Sequence, residues 1–388
     1  MTGGGSGGHI IPILAVAHEL KKQYADAEII FIGQIGDAHA DLTTRDPNID
    51  KTYQVWAGKY RRYADETTLK KLTDFRTIGL NFRDAYRVLK GTWQSYRLLH
   101  QLKPDVIFTR GGFVSVPVAL GGKLNGIPYI THDSDSIPSL ANRIIARWAA
   151  IHAVALPKTL YPYPPNKTVT VGVPVSSKYE PVTPALKNHY RKLLKLEDYD
   201  QIVFLTGGGN GARMLNNALV EGSRYLLSTF PKLAIVHISG AKLEDETNDA
   251  YNALQLGSAR ERVKVLGFVN DMYRYSGAAD VVIGRAGAST VAEFAIQGVA
   301  CIMVPPKQLA WAVKNSRALA SKNAIVELNE DQVEQPERLG RTIGALLEDN
   351  AQREKLAKNL AEYAHPHAAA DLAKLILHAA VGGVDVRA

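Results

Sequence analysis

The 388 residues carry a formal net charge of +8, with 22% charged and 46% hydrophobic side chains. That composition excludes a disordered or fibrous chain, and the length exceeds what one ordinary core holds, so two domains are expected. A single cysteine, Cys301, excludes an intramolecular disulfide framework and a four-cysteine zinc site. No apolar run reaches the ~18 residues that span a bilayer, and the start lacks a basic-then-apolar signal peptide. A cytoplasmic protein is expected, with phosphate, nucleic acid or an anionic membrane surface as the acidic partners to test.

The chain opens on Gly3-Gly4-Gly5-Ser6-Gly7-Gly8-His9 and turns into a helix near Pro12, where Ile13, Leu14, Ala17 and Leu20 recur at helical spacing. His18, Glu19, Lys21 and Lys22 are expected to face water. Glycines let a ligand approach the backbone, and a helix start offers unpaired N–H groups to an anion. Such a loop normally follows a strand, yet only Met1 and Thr2 precede it. The first strand therefore reads as missing, which predicts a natural reading frame that begins upstream.

Residues 27–32 (AEIIFI) read as a buried strand. Between Lys59 and His100 stand ten Lys or Arg against four acids, interleaved with Leu72, Phe75, Leu80, Phe82, Tyr86, Leu89 and Trp93 at roughly helical spacing. A basic, aromatic amphipathic surface suits an anionic membrane. A helix with its apolar stripe in the core and a solvated basic face fits the same pattern. No recognised nucleic-acid motif accompanies the charge. Strand 106–109 follows, ending at Arg110-Gly111-Gly112, then helix 117–124, strand 128–131 and helix 140–149. Strands alternating with helices predict a parallel sheet covered on both faces, with ligands beyond the carboxyl ends of the strands. Those ends carry Gly111-Gly112 and His132-Asp133-Ser134-Asp135.

Pro157, Pro162, Pro164, Pro165 and Pro174 separate two such patterns. The expected division is an N-terminal lobe over 1–160, a linker over 161–176, a second lobe over 177–364 and a C-terminal helix within 365–388 that packs back on the first lobe. The second lobe restarts with strand 201–205 and Thr206-Gly207-Gly208-Gly209-Asn210-Gly211, then a helix and strands at 233–238, 263–266, 280–283, 300–304 and 324–328.

Three motifs in this order and spacing, Gly3 to Pro12, Arg110 to Pro117 with His132-Asp133, and Gly284-Arg285-Ala286-Gly287-Ala288-Ser289-Thr290-Val291-Ala292-Glu293, resemble the MurG family. These are membrane-associated N-acetylglucosaminyltransferases of peptidoglycan synthesis. The resemblance implies an α/β GT-B glycosyltransferase of two Rossmann-like lobes whose parallel sheets face a cleft. It implies inverting transfer from UDP-GlcNAc to undecaprenyl-pyrophosphoryl-MurNAc-pentapeptide, lipid I to lipid II, by a peripheral protein on the cytoplasmic face of the membrane. No cofactor, fixed metal or nucleic acid belongs to that reaction.

Carried over residue by residue, His9 matches the family's loop histidine. Near a helix N-terminus its pKa is expected to fall, leaving a neutral imidazole able to act as base; a strut of the glycine turn is the other reading. Asp133 stands at the family's acidic position, for an acceptor contact or assisting base. Asp133-Ser134-Asp135 also spells the metal-binding DxD of a different fold, which its place at the end of a parallel strand argues against. Gly4, Gly5, Ser6, Gly7, Gly112 and Asn142 are implied on the acceptor side. On the donor side Glu293 takes the ribose hydroxyls, and Gly287, Ala288, Ser289 and Thr290 offer helix-start amides to the diphosphate. Gly208, Gly209, Asn210, Arg285 and Asn315 complete that set.

The departures fall on the phosphate and, above all, on the sugar. Gly172-Val173-Pro174-Val175-Ser176 lacks the family's phosphate-facing arginine, and Trp311-Ala312-Val313-Lys314-Asn315 stands where His-Gln-x-Lys-Asn is usual. Alanine cannot read a sugar hydroxyl, which leaves a different donor sugar, substitution by Gln308, or weak activity. The rival readings are a GT-B transferase with another sugar or lipid acceptor, a UDP-sugar epimerase of similar architecture, and a non-catalytic UDP-sugar or lipid-precursor binding protein.

Overall fold

Parallel strands need crossovers, and here every strand pair is parallel. The computed structural model describes residues 1–4, 7–37, 39–59, 75–208 and 211–382. They form two compact units, one of Met1–Ser176 with His367–Ala388, the other Ser177–Pro366.

In the first unit, β1 (Ile30–Gln34) pairs with β2 (Lys51–Val55), while β3 (Ile107–Thr109), β4 (Tyr129–Asp133), β5 (Ile151–Val154) and β6 (Thr168–Thr170) form a second group in that order. The chain's first two residues join them. Thr2 bridges Ile32 on one side and Thr109 on the other, both in parallel, and its N–H donates to the Phe108 carbonyl at 2.9 Å while the Ile32 N–H donates to that of Met1 at 2.9 Å. Met1 and Thr2 thus lie between β1 and β3, where a strand was expected.

The opening helix runs over Gly7–Gln23, so Pro12 lies inside it rather than in its first turn, and Glu19, expected in water, is buried. Its apolar side meets the C-terminal helix Ala368–Ala380: Ile10, Ile13, Val16 and Leu20 share one core with Leu372, Ala373, Ile376 and Ala379. The segment read as a linker is part of this unit too. β6 pairs with β5 inside the proline-rich stretch, because Thr168, Val169 and Thr170 satisfy a sheet edge that would otherwise stay open.

A long helix, Phe75–Leu102, lies against helix Ser115–Leu124. Its packed side is made of small residues: a Cβ on Gly121 would come within 2.7 Å of the Ser95 side chain, and one on Gly91 within 1.8 Å of the Trp56 carbonyl oxygen. Asp84, Ser95 and Leu99 are buried on that side, whereas Phe82, Tyr86, Leu89 and Trp93 are 75%, 64%, 71% and 58% exposed. The core-facing reading of the aromatic stripe is therefore overturned. The flatter the packed face, the closer the backbones approach, and the aromatic residues are left outside. Residues 60–74, which carry the rest of that basic run, lie outside the described residues.

The second unit is one six-stranded sheet in the order β12-β11-β10-β7-β8-β9, built from β7 (Gln201–Thr206), β8 (Leu233–Ile238), β9 (Val263–Leu266), β10 (Val281–Arg285), β11 (Cys301–Val304) and β12 (Val326–Glu327). Along β7, Val203 and Leu205 enter one core while Ile202 and Phe204 enter the other. Helices cover both faces, so the strand is apolar without alternation. Each unit thus carries its own parallel sheet, as the two-lobed α/β expectation requires.

Three histidines are buried as neutral rings. His132 donates from Nε2 to the Gly172 carbonyl at 2.9 Å, and His237 sits between the Tyr251 hydroxyl and Asn216 Oδ1, 3.0 Å from each. His152 bonds Thr131 and stacks on Tyr163 with ring centroids 3.9 Å apart. Burial pushes His132 and His237 down to about 3 and His152 to about 4. Between those values and ~6.5 the unfolded chain takes up protons that the folded one refuses. Stability is therefore complete above pH ~6.5 and falls as pH drops, each histidine adding about 1.4 kcal/mol per pH unit. Asp133 and Asp135, both raised by burial, oppose this in part. The urea midpoint should decline steadily below pH ~6.5; a flat midpoint down to pH ~5 would contradict the neutral, buried placement.

Candidate active site

Ligands in open parallel sheets bind where strand order reverses, beyond the carboxyl ends of the strands. In the first unit that point lies between Thr2 and β3, because the chain moves outward through β1 and β2 on one side and β3 to β6 on the other. Two glycine loops leave the sheet there, and they touch. Gly111 and Gly112 have φ of +85° and +83°, a Cβ on Gly112 would lie 2.8 Å from the Gly4 carbonyl oxygen, and one on Gly111 would lie 3.0 Å from Ser139 Oγ. Only glycine serves at both positions. Gly5 and Ser6 lie outside the described residues; Gly7 begins the helix.

His9 stands in the first turn of that helix. Burial, then the Arg110 guanidinium, push its pKa down to about 4 against a bond to the Arg110 backbone. The ring is thus neutral at pH 7. Its cause differs from the helix-dipole argument made from sequence, since burial is the larger effect. With one nitrogen engaged by the Arg110 backbone, Nδ1 is buried without a protein partner, and in the neutral tautomer it carries the lone pair.

Arg110, 6% exposed at the end of β3, donates from Nη2 to Ser134 Oγ at 2.6 Å. It thereby ties the end of β3 to the turn after β4. Asp133 is committed within the protein. Its Oδ1 accepts from the Asn142 amide at 2.9 Å and the Ser139 N–H at 3.1 Å, and its Oδ2 accepts from the Tyr163 hydroxyl at 2.7 Å. At 4% exposed and bonded at both oxygens, Asp133 holds the strand end rather than offering a base. Asn142, fully buried, also donates to the His132 carbonyl at 2.9 Å, while its Oδ1 has no protein partner. Asp135, two residues beyond Asp133, likewise has a buried Oδ1 without a partner, and burial raises it to about 6.

In the second unit the reversal lies between β7 and β10. Thr206-Gly207-Gly208 leaves β7, with φ of +79° at Gly208, and Gly209 and Asn210 lie outside the described residues. From β10 the chain passes through Gly287, the N-cap of helix Ala288–Gln297, which ends at the left-handed Gly298. A Cβ on Gly208 or Gly287 would meet no protein atom within 4 Å. The amides of Ala288, Ser289 and Thr290 therefore begin a helix of ten residues beside the switch point. Glu293, one turn on and 8% exposed, accepts a bond from the Tyr179 hydroxyl. Tyr179 in turn lies edge-on to Tyr273 at 6.0 Å, and Tyr273 to Tyr190 at 5.9 Å.

Arg285 is engaged elsewhere. It pairs with Glu330 at 2.7 Å, whose other oxygen accepts from the Lys307 N–H at 3.3 Å. The ion pair ties β10 to the loop that precedes helix Ala310–Ser321, which gives Arg285 a structural role. In that helix Ala312 and Ser316 are buried, Lys314 is exposed and Asn315 is half-buried, and Gln308, in the loop before it, is exposed. The alanine that replaces a sugar-reading side chain is turned inward. Sequence reasoning missed Arg110, Asp135, Tyr163, Tyr179 and Glu330 as members of these sites. Two had a signal, Asp135 as the last letter of a DxD set aside for metal and Arg110 as the first letter of the motif that runs to Pro117.

The glycosyltransferase family 28 N-terminal domain matches residues 1–154, and the C-terminal domain of the same family matches residues 202–376. A Thermodesulfovibrio yellowstonii protein named UDP-N-acetylglucosamine–N-acetylmuramyl-(pentapeptide) pyrophosphoryl-undecaprenol N-acetylglucosamine transferase is 31% identical over 350 residues, 89% of each chain. A Geobacillus thermodenitrificans protein of the same name is 32% identical over 337 residues, 86% of each chain. Among solved structures, Acinetobacter baumannii MurG superposes with a TM-score of 0.68 at 25% identity, covering 97% of this chain and 98% of that one.

The Arg285–Glu330 pair is partly buried, so removing one partner strands the other. Arg285→Ala should lower stability by about 2 kcal/mol, between the surface and buried limits for ion pairs. The double variant Arg285→Ala/Glu330→Ala should recover part of that loss in chemical denaturation, and no recovery would argue against the pairing.

Proposed function

The chain belongs to glycosyltransferase family 28 in both of its lobes, and from that premise we propose that it transfers N-acetylglucosamine from UDP-GlcNAc to undecaprenyl-pyrophosphoryl-N-acetylmuramyl-pentapeptide, forming lipid II. The observation that carries this reading is identity of 31% sustained over 350 residues to a relative of that name. In the reaction the acceptor hydroxyl oxygen bonds to the anomeric carbon from the face opposite UDP. The bond from that carbon to the β-phosphate oxygen breaks, and its electron pair leaves with UDP.

The first unit takes the acceptor at the meeting of its two glycine loops. Amides at Gly4 and Gly112 and the start of the helix at Gly7, with Gly5 and Ser6 between them, receive the diphosphate; His9 Nδ1 and Asn142 Oδ1 accept hydrogen bonds from the muramyl sugar. The second unit takes the donor. Glu293 binds the ribose hydroxyls, the Gly287 to Thr290 turn the diphosphate, and Gly208, Gly209, Asn210 and Asn315 the remaining nucleotide-sugar edge. Charge develops on the departing diphosphate, and fixed helix-start amides stabilise it without reorganising.

Incubating the protein with a lipid I analogue and a panel of UDP sugars tests this reading. Product is expected from UDP-GlcNAc, with His9→Ala and Glu293→Ala each losing at least about 100-fold in kcat/KM. Glu293→Ala should also weaken UDP binding, which His9→Ala should leave intact. Product from another sugar alone would reassign the donor, and UDP binding with no turnover on any sugar would favour a binding protein.

The acceptor's lipid places the enzyme at the cytoplasmic face of the membrane as a peripheral protein. Support comes from the exposed stripe Phe82, Tyr86, Leu89 and Trp93, with Arg97 stacked 4.9 Å from the Trp93 ring and Arg83, Arg87 and Lys90 alongside. Among the described residues no helix is long and apolar enough to cross a membrane. In flotation, vesicles containing anionic lipid should carry the protein at low salt and less at high salt. Leu89→Ala/Trp93→Ala should reduce partitioning about tenfold or more. Indifference to lipid charge, salt and substitution would refute the membrane contact.

A further inference from the structure

Among the described residues, seven side-chain polar atoms are buried without a hydrogen-bond partner, and three of the residues that carry them, His9, Asn142 and Asp135, stand at the carboxyl end of the first unit's sheet. Buried polar groups are ordinarily satisfied, so such a concentration marks a surface built to bond something else. Of the three, Asn142 cannot take a proton, and His9, protonated at the nitrogen bonded to the Arg110 backbone, can take a second only at Nδ1. Asp133, the carboxylate that the family comparison points to, has both oxygens filled by Asn142, Ser139 and Tyr163. Among the described residues Asp135 is the carboxylate at this end of the sheet with a buried oxygen that no protein group bonds.

Resting on the transfer reading above, we infer that Asp135 is a catalytic residue of this chain: its Oδ1 takes the proton of the acceptor hydroxyl as that oxygen bonds to the anomeric carbon and UDP departs with the electron pair of the broken bond. The geometry that holds Asp135 for this task is local. Arg110 reaches from the end of β3 to Ser134 Oγ at 2.6 Å and pins the turn that carries Asp135, while Tyr163 and Asn142 anchor Asp133 just before it.

The charged and titratable groups that act on Asp135 or answer to it are Arg110 from β3, Asp133 from β4 and Tyr161 from the segment before β6. Arg110 favours the carboxylate and Asp133 opposes it, but burial is the largest effect and sets Asp135 at about 6. His9 sits at about 4. A base works best with a pKa near the operating pH, and burial moves Asp135 towards it and His9 away from it. His9 Nδ1 then orients the hydroxyl, and Asp135 accepts its proton.

The test is the pH dependence of kcat/KM for the wild type, Asp135→Asn, Asp135→Glu and His9→Ala with UDP-GlcNAc and a lipid I analogue, alongside UDP affinity and thermal unfolding. Wild-type kcat/KM should rise with pH through an apparent pKa near 6. Asp135→Asn should lose about 10²–10⁴-fold and lose that limb, with UDP affinity and melting temperature unchanged. Asp135→Glu should recover part of the rate and a displaced limb. His9→Ala should be slow yet keep the limb near 6. An active wild type whose limb survives in Asp135→Asn, or moves only in His9→Ala, overturns the assignment while leaving the transfer reading intact. A wild type that makes no product at any pH overturns both.

Discussion

Connections between parallel strands all pass over one face or the other, and wherever two successive connections turn opposite ways a crevice opens at the carboxyl ends. That topological constraint organises both lobes of this protein. In the first it falls between Thr2 and β3, in the second between β7 and β10, and in each a pair of glycine-bearing turns leaves the sheet at that spot. The glycines are required by close approach, as at Gly112 against Gly4, rather than by turn formation alone. Helix starts follow both loops, so each crevice is lined by backbone N–H groups before any side chain contributes.

Within the first lobe, a buried guanidinium ties the side chains together. Arg110 adds to the burial that keeps two imidazoles, His9 and His132, neutral, and it opposes the effect of burial on Asp133 and Asp135. Its bond to Ser134 joins neighbouring strand ends into one rigid surface. Burying a cation is costly unless charged and hydrogen-bonding groups answer it, and here they are the residues around the acceptor crevice. The second lobe solves the corresponding problem differently, with Arg285 spent on Glu330 and Glu293 steadied by Tyr179 at the end of a tyrosine ladder.

Much of the fold was legible in order along the chain. β8 begins and ends where the apolar run 233–238 does, because a strand covered on both faces has no alternation to blur its ends. Less was legible where partners are distant. β5 and β6 were not foreseen: Ile151 to Val154 directly follows a helix without a turn signal, and Thr168 to Thr170 hides among prolines. The glycine loops were legible as binding elements, whereas the identities of the working side chains inside them were not. Asp133 and Asp135 differ by two positions and share one residue type, yet three donors from Ser139, Asn142 and Tyr163 converge on the first. Tyr163 is 30 residues away, and nothing in local pattern announces such a bond.

The sequence by itself determined the class of architecture, the glycine loops and the family resemblance, since hydrophobic periodicity, glycine placement and motif order are local properties of the chain. Tertiary structure alone decided which face of helix Phe75–Leu102 stays outside, where the proline-rich stretch belongs, and which polar groups remain unsatisfied. Each of those outcomes depends on what a residue meets across the fold: the small side chains of Gly91 and Ser95 admit a neighbouring backbone, and Asp133 is filled while Asp135 is not. Burial and pairing are relations between distant residues, and they come into being only when the chain has closed.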